Sequence, residues 1–424
     1  MARKMKDSGI EWIGEIPEGW EITRLKYLAD FEPTCDTSYL TDESKITYTP
    51  MECVKNGGFE NRSALYGNLS HTLTPFQNGD IAMAKVTPCF ENGNIAIMDN
   101  LFSGFGLGSS ELFIFRPKSI STRYFFYWLQ NKAFVARACS TMTDTGGLKR
   151  ISPSFIRNCP VHCPSTDEQT KISDYLDAKC SKIGDLLTSV HASIEEYKKL
   201  KQAVITQAVT KGVRGEREIK ESKLPWASKI PKAWNICAIR HIMFECKERT
   251  KDGHEEQLSV TQQFGIIKSS DASIANPSLS LDDWRIVAIG DIVFNKYKAP
   301  SGVFFVSPFS GIVTFNYSVY RCFPNCYAKY FEYQYKTHGC ISEFRTRMHG
   351  VGNSISSLYT KDLMKIKVVC PPLDEQKEIA NYLDAKCAEI DKLIAKKEQL
   401  VKELENYKKS LIFEYVTGKK ELRR

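Results

Sequence analysis

The sequence repeats itself once, and the distance between the copies limits the fold more than any other feature. Trp12, Ile16, Pro17, Trp20, Ile22, Leu25 and Leu28 recur as Trp226, Ile230, Pro231, Trp234, Ile236, Ile239 and Ile242, 214 residues later. Gly79-Asp80-Ile81 with Lys85 recurs as Gly290-Asp291-Ile292 with Lys296, 211 residues later. Cys163-Pro164, Asp167-Glu168-Gln169 and Tyr175-Leu-Asp-Ala-Lys-Cys180 recur 207 residues later as Cys370-Pro371, Asp374-Glu375-Gln376 and Tyr382-Leu-Asp-Ala-Lys-Cys387. Solenoid repeats run about 20 to 50 residues, so a period this long is a duplicated domain-plus-helix unit. The falling offset leaves about seven extra residues in the first copy, before and after the Gly-Asp-Ile element.

Each copy closes with a predicted long helix. Asp167-Glu168 and Asp374-Glu375 follow proline punctuation and place negative charge at the positive end of the helix dipole. No proline or run of turn residues intervenes before Val209 or Val416, although Gly184 lies inside the first copy. Some forty residues at 1.5 Å each span roughly 60 Å. Apolar residues follow a 4-3-4-3 spacing: Ile183, Leu187, Val190, Ile194 and Tyr197, then Val204 and Ala208. The second copy offers Ile390, Ile394, Val401, Leu404, Leu411 and Tyr415, and lysines 201, 397 and 408 interrupt the stripes. So narrow a seam suits one partner helix rather than a globular core. With a folded domain between them, the economical arrangement is an intramolecular antiparallel pair.

The segments before the helices read as mixed α/β. Ile81–Val86, Ile95–Met98, Leu112–Phe115, Ile292–Tyr297, Val303–Val306 and Ile312–Tyr320 are strand-like. Ser121–Ala138 and Ala328–Arg345 are predicted as helices whose aromatic clusters are core stripes. Gly212–Glu221 has the composition of a solvated linker. The expected fold is therefore α/β (α+β): two domain copies joined by two long helices in an antiparallel coiled coil, with an internal pseudo-two-fold repeat. The expected boundaries are 1–21 for an opening segment and 22–165 for the first domain. The central helix and linker take 166–221, the second domain 222–372 and the closing helix 373–424.

Catalytic patterns are absent from the sequence. There is no phosphate-binding loop, no HExxH and no paired-cysteine metal motif. Gly104-Phe-Gly106-Leu-Gly108 lacks a following helix and reads as a hairpin or loop turn. Asp42-Glu43 with Lys45 does not make a nuclease site. Cys159, His162 and Cys163 lie close together, as do Cys322 and Cys326, yet neither group has a second ligand pair for zinc. Fourteen cysteines with no export signal suit free thiols in a reducing cytoplasm. No apolar run is long enough for a membrane span. The net charge of +8 is mild and decides little.

A duplicated domain on a helical pair suggests two DNA half-sites, because successive major grooves on one face lie about 34 Å apart. The helical strings agree between copies while the domains differ, as expected for one frame reading two different sequences. Contact candidates lie in turn-rich segments. Thr143–Arg150 offers Thr145, Lys149 and Arg150, and Arg345–Ser354 offers Arg345, Arg347, His349 and Asn353. Arginine and lysine suit guanine edges or phosphates, and asparagine suits adenine. Lys85 and Lys296 are phosphate candidates.

These residues resemble the specificity subunit of type I restriction-modification enzymes. The likeness rests on Trp12-x-Gly-x-Ile-Pro-x-x-Trp20, weaker in Trp226 to Trp234, and on Pro371-Pro372-Leu373-x-Glu375-Gln376. It also rests on the Tyr-Leu-Asp helix starts and the endings Ala208-Val209-Thr210 and Tyr415-Val416-Thr417-Gly418. The first copy departs to Pro164-Ser165-Thr166. The resemblance implies a non-catalytic subunit whose two recognition domains read a split, asymmetric double-stranded DNA target, with the helices as ruler and docking site. It implies two modification (methyltransferase) subunits and restriction/motor subunits as partners. S-adenosylmethionine, ATP and Mg would belong to those partners, with no cofactor in this chain. Three alternatives stay open: the equivalent subunit of a methylation-only or type IIB system, a coiled-coil protein-assembly module, and an enzyme with a cryptic site.

Overall fold

The computed structural model describes the whole chain except residues 1–2, 56, 71, 146, 263, 273–280, 282, 350–355 and 423–424. The chain divides into two compact units. One comprises Met1–His191 with Gln399–Arg424, and the other comprises Ala192–Glu398. Six helices matter below: α1 (Thr122–Trp128), α2 (Lys132–Ser140), α3 (Thr166–Lys211), α4 (Ala328–Tyr335), α5 (His338–Thr346) and α6 (Leu373–Val416). Each unit takes the first part of one long helix, α3 or α6, and the last part of the other.

In the first unit the two ends of the inserted domain are zipped together, Glu21–Arg24 pairing antiparallel with Pro160–Cys163. Its main sheet runs Ile95–Met98, Asp80–Ala84, Leu112–Pro117, Ala29–Phe31, all antiparallel. Asp80–Ala84 is buried throughout because both faces of the sheet are covered. Tyr124, Phe125 and Trp128 of α1 share one core with Ile81 and Phe113, while Ala82, Ile114 and Phe76 form a second. A further sheet, Arg62–Leu65, Lys45–Thr49, Phe105–Gly108, Thr74–Gln77, contains one parallel pair.

The second unit follows the same plan. Asn235–Ala238 pairs with Lys367–Cys370. Its main sheet runs Met243–Cys246, Tyr317–Cys322, Ile292–Asn295, Phe304–Val306, and Tyr330, Phe331 and Tyr335 of α4 cover one face.

The long helices are antiparallel within each unit. In the first, Tyr175 near the start of α3 meets Tyr415 near the end of α6, with ring centroids 4.5 Å apart. In the second, Lys201 near the end of α3 binds Asp391 of α6 at 2.6 Å. Ile183, Ile194, Ile390, Val401 and Leu411 are buried. Leu187, Val190, Tyr197, Ile394 and Leu404 are half-buried. Two of the interrupting lysines have a use in the seam. Lys201 makes the Asp391 pair, and Lys397 lies 5.6 Å from the centre of the Tyr197 ring.

Five expectations need correction. Ser121–Ala138 is two helices rather than one, because the Asn131 carboxamide accepts hydrogen bonds from Ala133 N and Phe134 N and starts α2 afresh. Thr337 does the same for α5, dividing Ala328–Arg345. Ile312–Tyr320 is likewise two strands, Gly311–Val313 and Tyr317–Cys322, parted by a turn in which Tyr317 N donates to Thr314 O. Gly106 and Gly108 lie in a strand, not a turn: a Cβ on Gly106 would stand 2.2 Å from the Phe76 ring, so glycine permits close packing there. Part of the charged linker is also structured, since Ile219–Glu221 pairs with Lys229–Pro231.

Candidate nucleic-acid interface

The strings shared by the two copies make the frame on which any reading surface must sit. Buried Trp20 donates its indole N–H to Glu168 at 2.9 Å, and buried Trp234 donates to Glu375 at 2.7 Å. Arg3 completes the first group at 2.6 Å from Glu168, and Arg217 completes the second at 2.5 Å from Glu375. The next residue orients α1 or α4. Gln169 Oε1 accepts from Ser121 N, and Gln376 Oε1 accepts from Tyr327 N, each at 2.8 Å. The Tyr124 hydroxyl donates to Val416 O at 3.0 Å, and the Tyr330 hydroxyl to Val209 O at 3.1 Å. Asp-Glu-Gln is thus a joint between domain and helix, repeated in chemistry as well as in letters.

Gly-Asp-Ile is a second joint. Gly79 and Gly290 have φ of +86° and +89°, which favours glycine. Asp80 takes two 2.8 Å hydrogen bonds from Arg116, and Asp291 takes 2.8 and 2.9 Å bonds from Arg321. These bidentate pairs hold both arginines protonated, well above their ordinary pKa. Lys85 and Lys296, both half-buried, come directly after the strand that follows.

In the first unit Thr143–Thr145 and Leu148–Arg150 form a hairpin, not a free glycine loop, and it lies against the Lys85 segment. Thr87 N donates to Lys149 O and Ile151 N to Lys85 O, each at 3.0 Å. Lys85, Lys149 and Arg150 therefore share one surface. Glu111 lies there too, 2.7 Å from Arg150, whose hydrogen bond lowers the Glu111 carboxyl below its usual range. That carboxylate offsets the arginine, so Lys85 and exposed Lys149 supply the surplus charge. The Lys85 ammonium also stands 5.5 Å from the centre of the Phe113 ring. Thr145 is in the first strand of the hairpin.

The second unit places Lys296 equivalently: Leu358 N donates to Lys296 O at 3.0 Å. His349 pairs by its backbone with Ser357, and its Nε2 is 3.2 Å from Asp362. Arg347 is 3.6 Å from Glu343, while Arg345 is exposed at the end of α5. Asn353 lies outside the described residues. Lys296 and His349 are thus brought to one region, with Glu343 one helical turn from Arg347 and with Asp362, which chain order had not signalled, beside His349. Sequence reasoning also passed over Phe264 and Phe315, 69% and 64% exposed in turns of the second domain. The only hint was a phenylalanine beside turn residues. Among the described residues no group of histidine, cysteine or acidic side chains could hold a metal ion.

Most of both domains and most of both long helices fall within one family model. It is described as the type I restriction modification DNA specificity domain and matches residues 17–196 and 263–405. The chain belongs to this specificity family. The EcoEI specificity subunit of Escherichia coli is 34% identical over 163 residues, 37% of this chain and 27% of that protein's length. The match therefore spans about a quarter of that relative. A putative type I restriction enzyme MjaX specificity subunit from Methanocaldococcus jannaschii is 24% identical over 431 residues, covering 96% of this chain and 95% of its own. A solved chain from work on complex assembly and conformational transition of the type I R-M system aligns with a TM-score of 0.68. It shares 14% identity and covers 95% of this chain and 99% of its own. That likeness is one of fold.

Proposed function

We propose that this chain is the non-catalytic, sequence-reading subunit of a type I restriction-modification system. Residues 22–165 and 222–372 are two target-recognition domains, each reading one part of a bipartite, asymmetric double-stranded DNA sequence. The opening segment 1–21, the central segment 166–221 and the closing helix 373–424 form the frame and dock two methyltransferase subunits and the motor/nuclease subunits. Adenine methylation, and the S-adenosylmethionine, ATP and Mg it and translocation require, belong to those partners. No described helix is long and apolar enough to cross a membrane; the working site is the cytoplasm, where the DNA is.

One observation carries this reading. The Trp–Glu–Arg joint and the Gln joint occur twice with matching partners, whereas the first domain carries Lys149 and Arg150 where the second carries Arg345 and His349. A shared frame under unlike surfaces suits an asymmetric target. Lys85 and Lys296 contact phosphate. Thr145, Lys149, Arg150, Arg345, Arg347, His349 and Asn353 are the candidates for contact with the bases.

The test exchanges residues 22–160 for the matching segment of another family member and maps methylated adenines across the host genome. One half of the target should change and the other stay the same. A change in both halves, or in neither, would remove the modular reading. Binding must be compared between sequences at moderate salt, because charge alone supplies non-specific affinity.

A further inference from the structure

The two helical pairs differ at one matched position. In the second unit Lys201 Nζ is 2.6 Å from Asp391. The residues 207 positions away in the repeat are Lys408 and Gly184, so the first unit keeps the lysine and lacks the acid. Among the described residues Lys408 has no hydrogen bond or ion pair. It is half-buried, so its stem packs against the protein while its ammonium has no carboxylate to meet.

Lys408 lines a cleft of about 470 Å³ that lies wholly within the first unit. Its floor is apolar: Met83, Phe90, Leu129, Leu187 and Ile412. Lys132 and Lys409 join Lys408 on the walls, and Glu91 and Glu405 answer only two of the three charges. Asn92, Asn94 and Gln130 add amide groups. The second unit uses its matching groups internally. Lys336, at the position of Gln130, binds Glu332 at 2.6 Å and covers the Phe305 ring at 4.0 Å.

We propose that this cleft binds a small organic anion with an apolar body, of the aryl-carboxylate class, its carboxylate on Lys408 and its ring on the Leu187–Ile412 floor. The volume suits such a molecule, and an apolar pocket with a few convergent polar groups is the usual form of a small-molecule site. The proposal does not rest on DNA reading. The site occurs once per chain, because the second helical pair supplies its own acid.

The probe is 1-naphthoate, titrated into the full chain by calorimetry beside its neutral analogue 1-naphthamide. One naphthoate should bind per chain, with naphthamide about tenfold weaker or worse, as for loss of a hydrogen bond to a charged group. Gly184→Asp installs the acid of the other pair and should weaken naphthoate by about the same factor while leaving naphthamide unchanged. If that variant does not fold, Lys408→Gln carries the same expectation. Absence of saturable naphthoate binding, equal binding of both probes, or indifference to the substitution each overturns the proposal.

Discussion

His162 shows what one residue can do that its counterpart cannot. Its Nε2 is 2.7 Å from Val416 O and its ring stacks on Trp20, whereas the matching position in the second copy is Val369. Burial, with some repulsion from Lys419, pushes its pKa down to about 4, against the smaller upward pull of the Val416 hydrogen bond. The unfolded chain therefore binds a proton that the folded chain refuses between about pH 6.5 and pH 4. His162 neutrality stabilises the first unit fully above that window, and the contribution is lost as the pH falls through it. Melting temperatures at pH 7 and pH 5 should differ less in His162→Gln than in the parent chain; an unchanged difference would assign the acid sensitivity elsewhere. Glu375 is a second residue with a definite cost. It is buried, accepts a hydrogen bond from Trp234 and forms an ion pair with Arg217. Glu375→Ala should lower the unfolding free energy by about 2–3 kcal/mol in urea titration, and a loss under about 0.5 kcal/mol would deny the joint its structural role. The sequence showed that Glu168 and Glu375 matched; their tryptophan partners, over a hundred residues away, needed the fold.

At the scale of elements, the long helices were the most legible part, because a heptad stripe can be read without knowing its neighbours. The strand-like stretches around Ile81 and Ile292 were legible for the same reason. What failed was punctuation inside helices. Asn131 and Thr337 restart the chain with a side-chain cap, and a polar residue in an aromatic-rich run looks like any other exposed position until its acceptor is seen. Gly106 failed differently: glycine reads as a turn unless a bulky ring such as Phe76 is known to press on it. Candidate contact residues were legible as types and not as charges, since Glu111 neutralises Arg150, 39 residues away, and Asp362 lies beside His349. Removing about one heptad from both α3 and α6 should alter the spacer between half-sequences, by methylation mapping, and leave the half-sequences as they were. The opposite pattern would end the ruler role.

For the whole molecule, the duplication could be read in full from the letters, but the division of labour along the chain could not. The second unit is built from one continuous stretch, Ala192–Glu398, while the first draws on both ends of the chain. Tyr124, His162 and the Pro17–Trp20 region all contact residues between Val416 and Gly418. This gives the molecule a clock. As the polypeptide leaves the ribosome, residues 1–191 emerge first but lack their closing strip until the last turns of α6 arrive, whereas 192–398 can close as soon as it is out. A chain stopped at Glu398 should keep a protease-resistant core from 192 to 398 and lose resistance before 191; equal survival of both would mean that the closing strip is dispensable. The unit whose chain begins before the other's is thus finished after it.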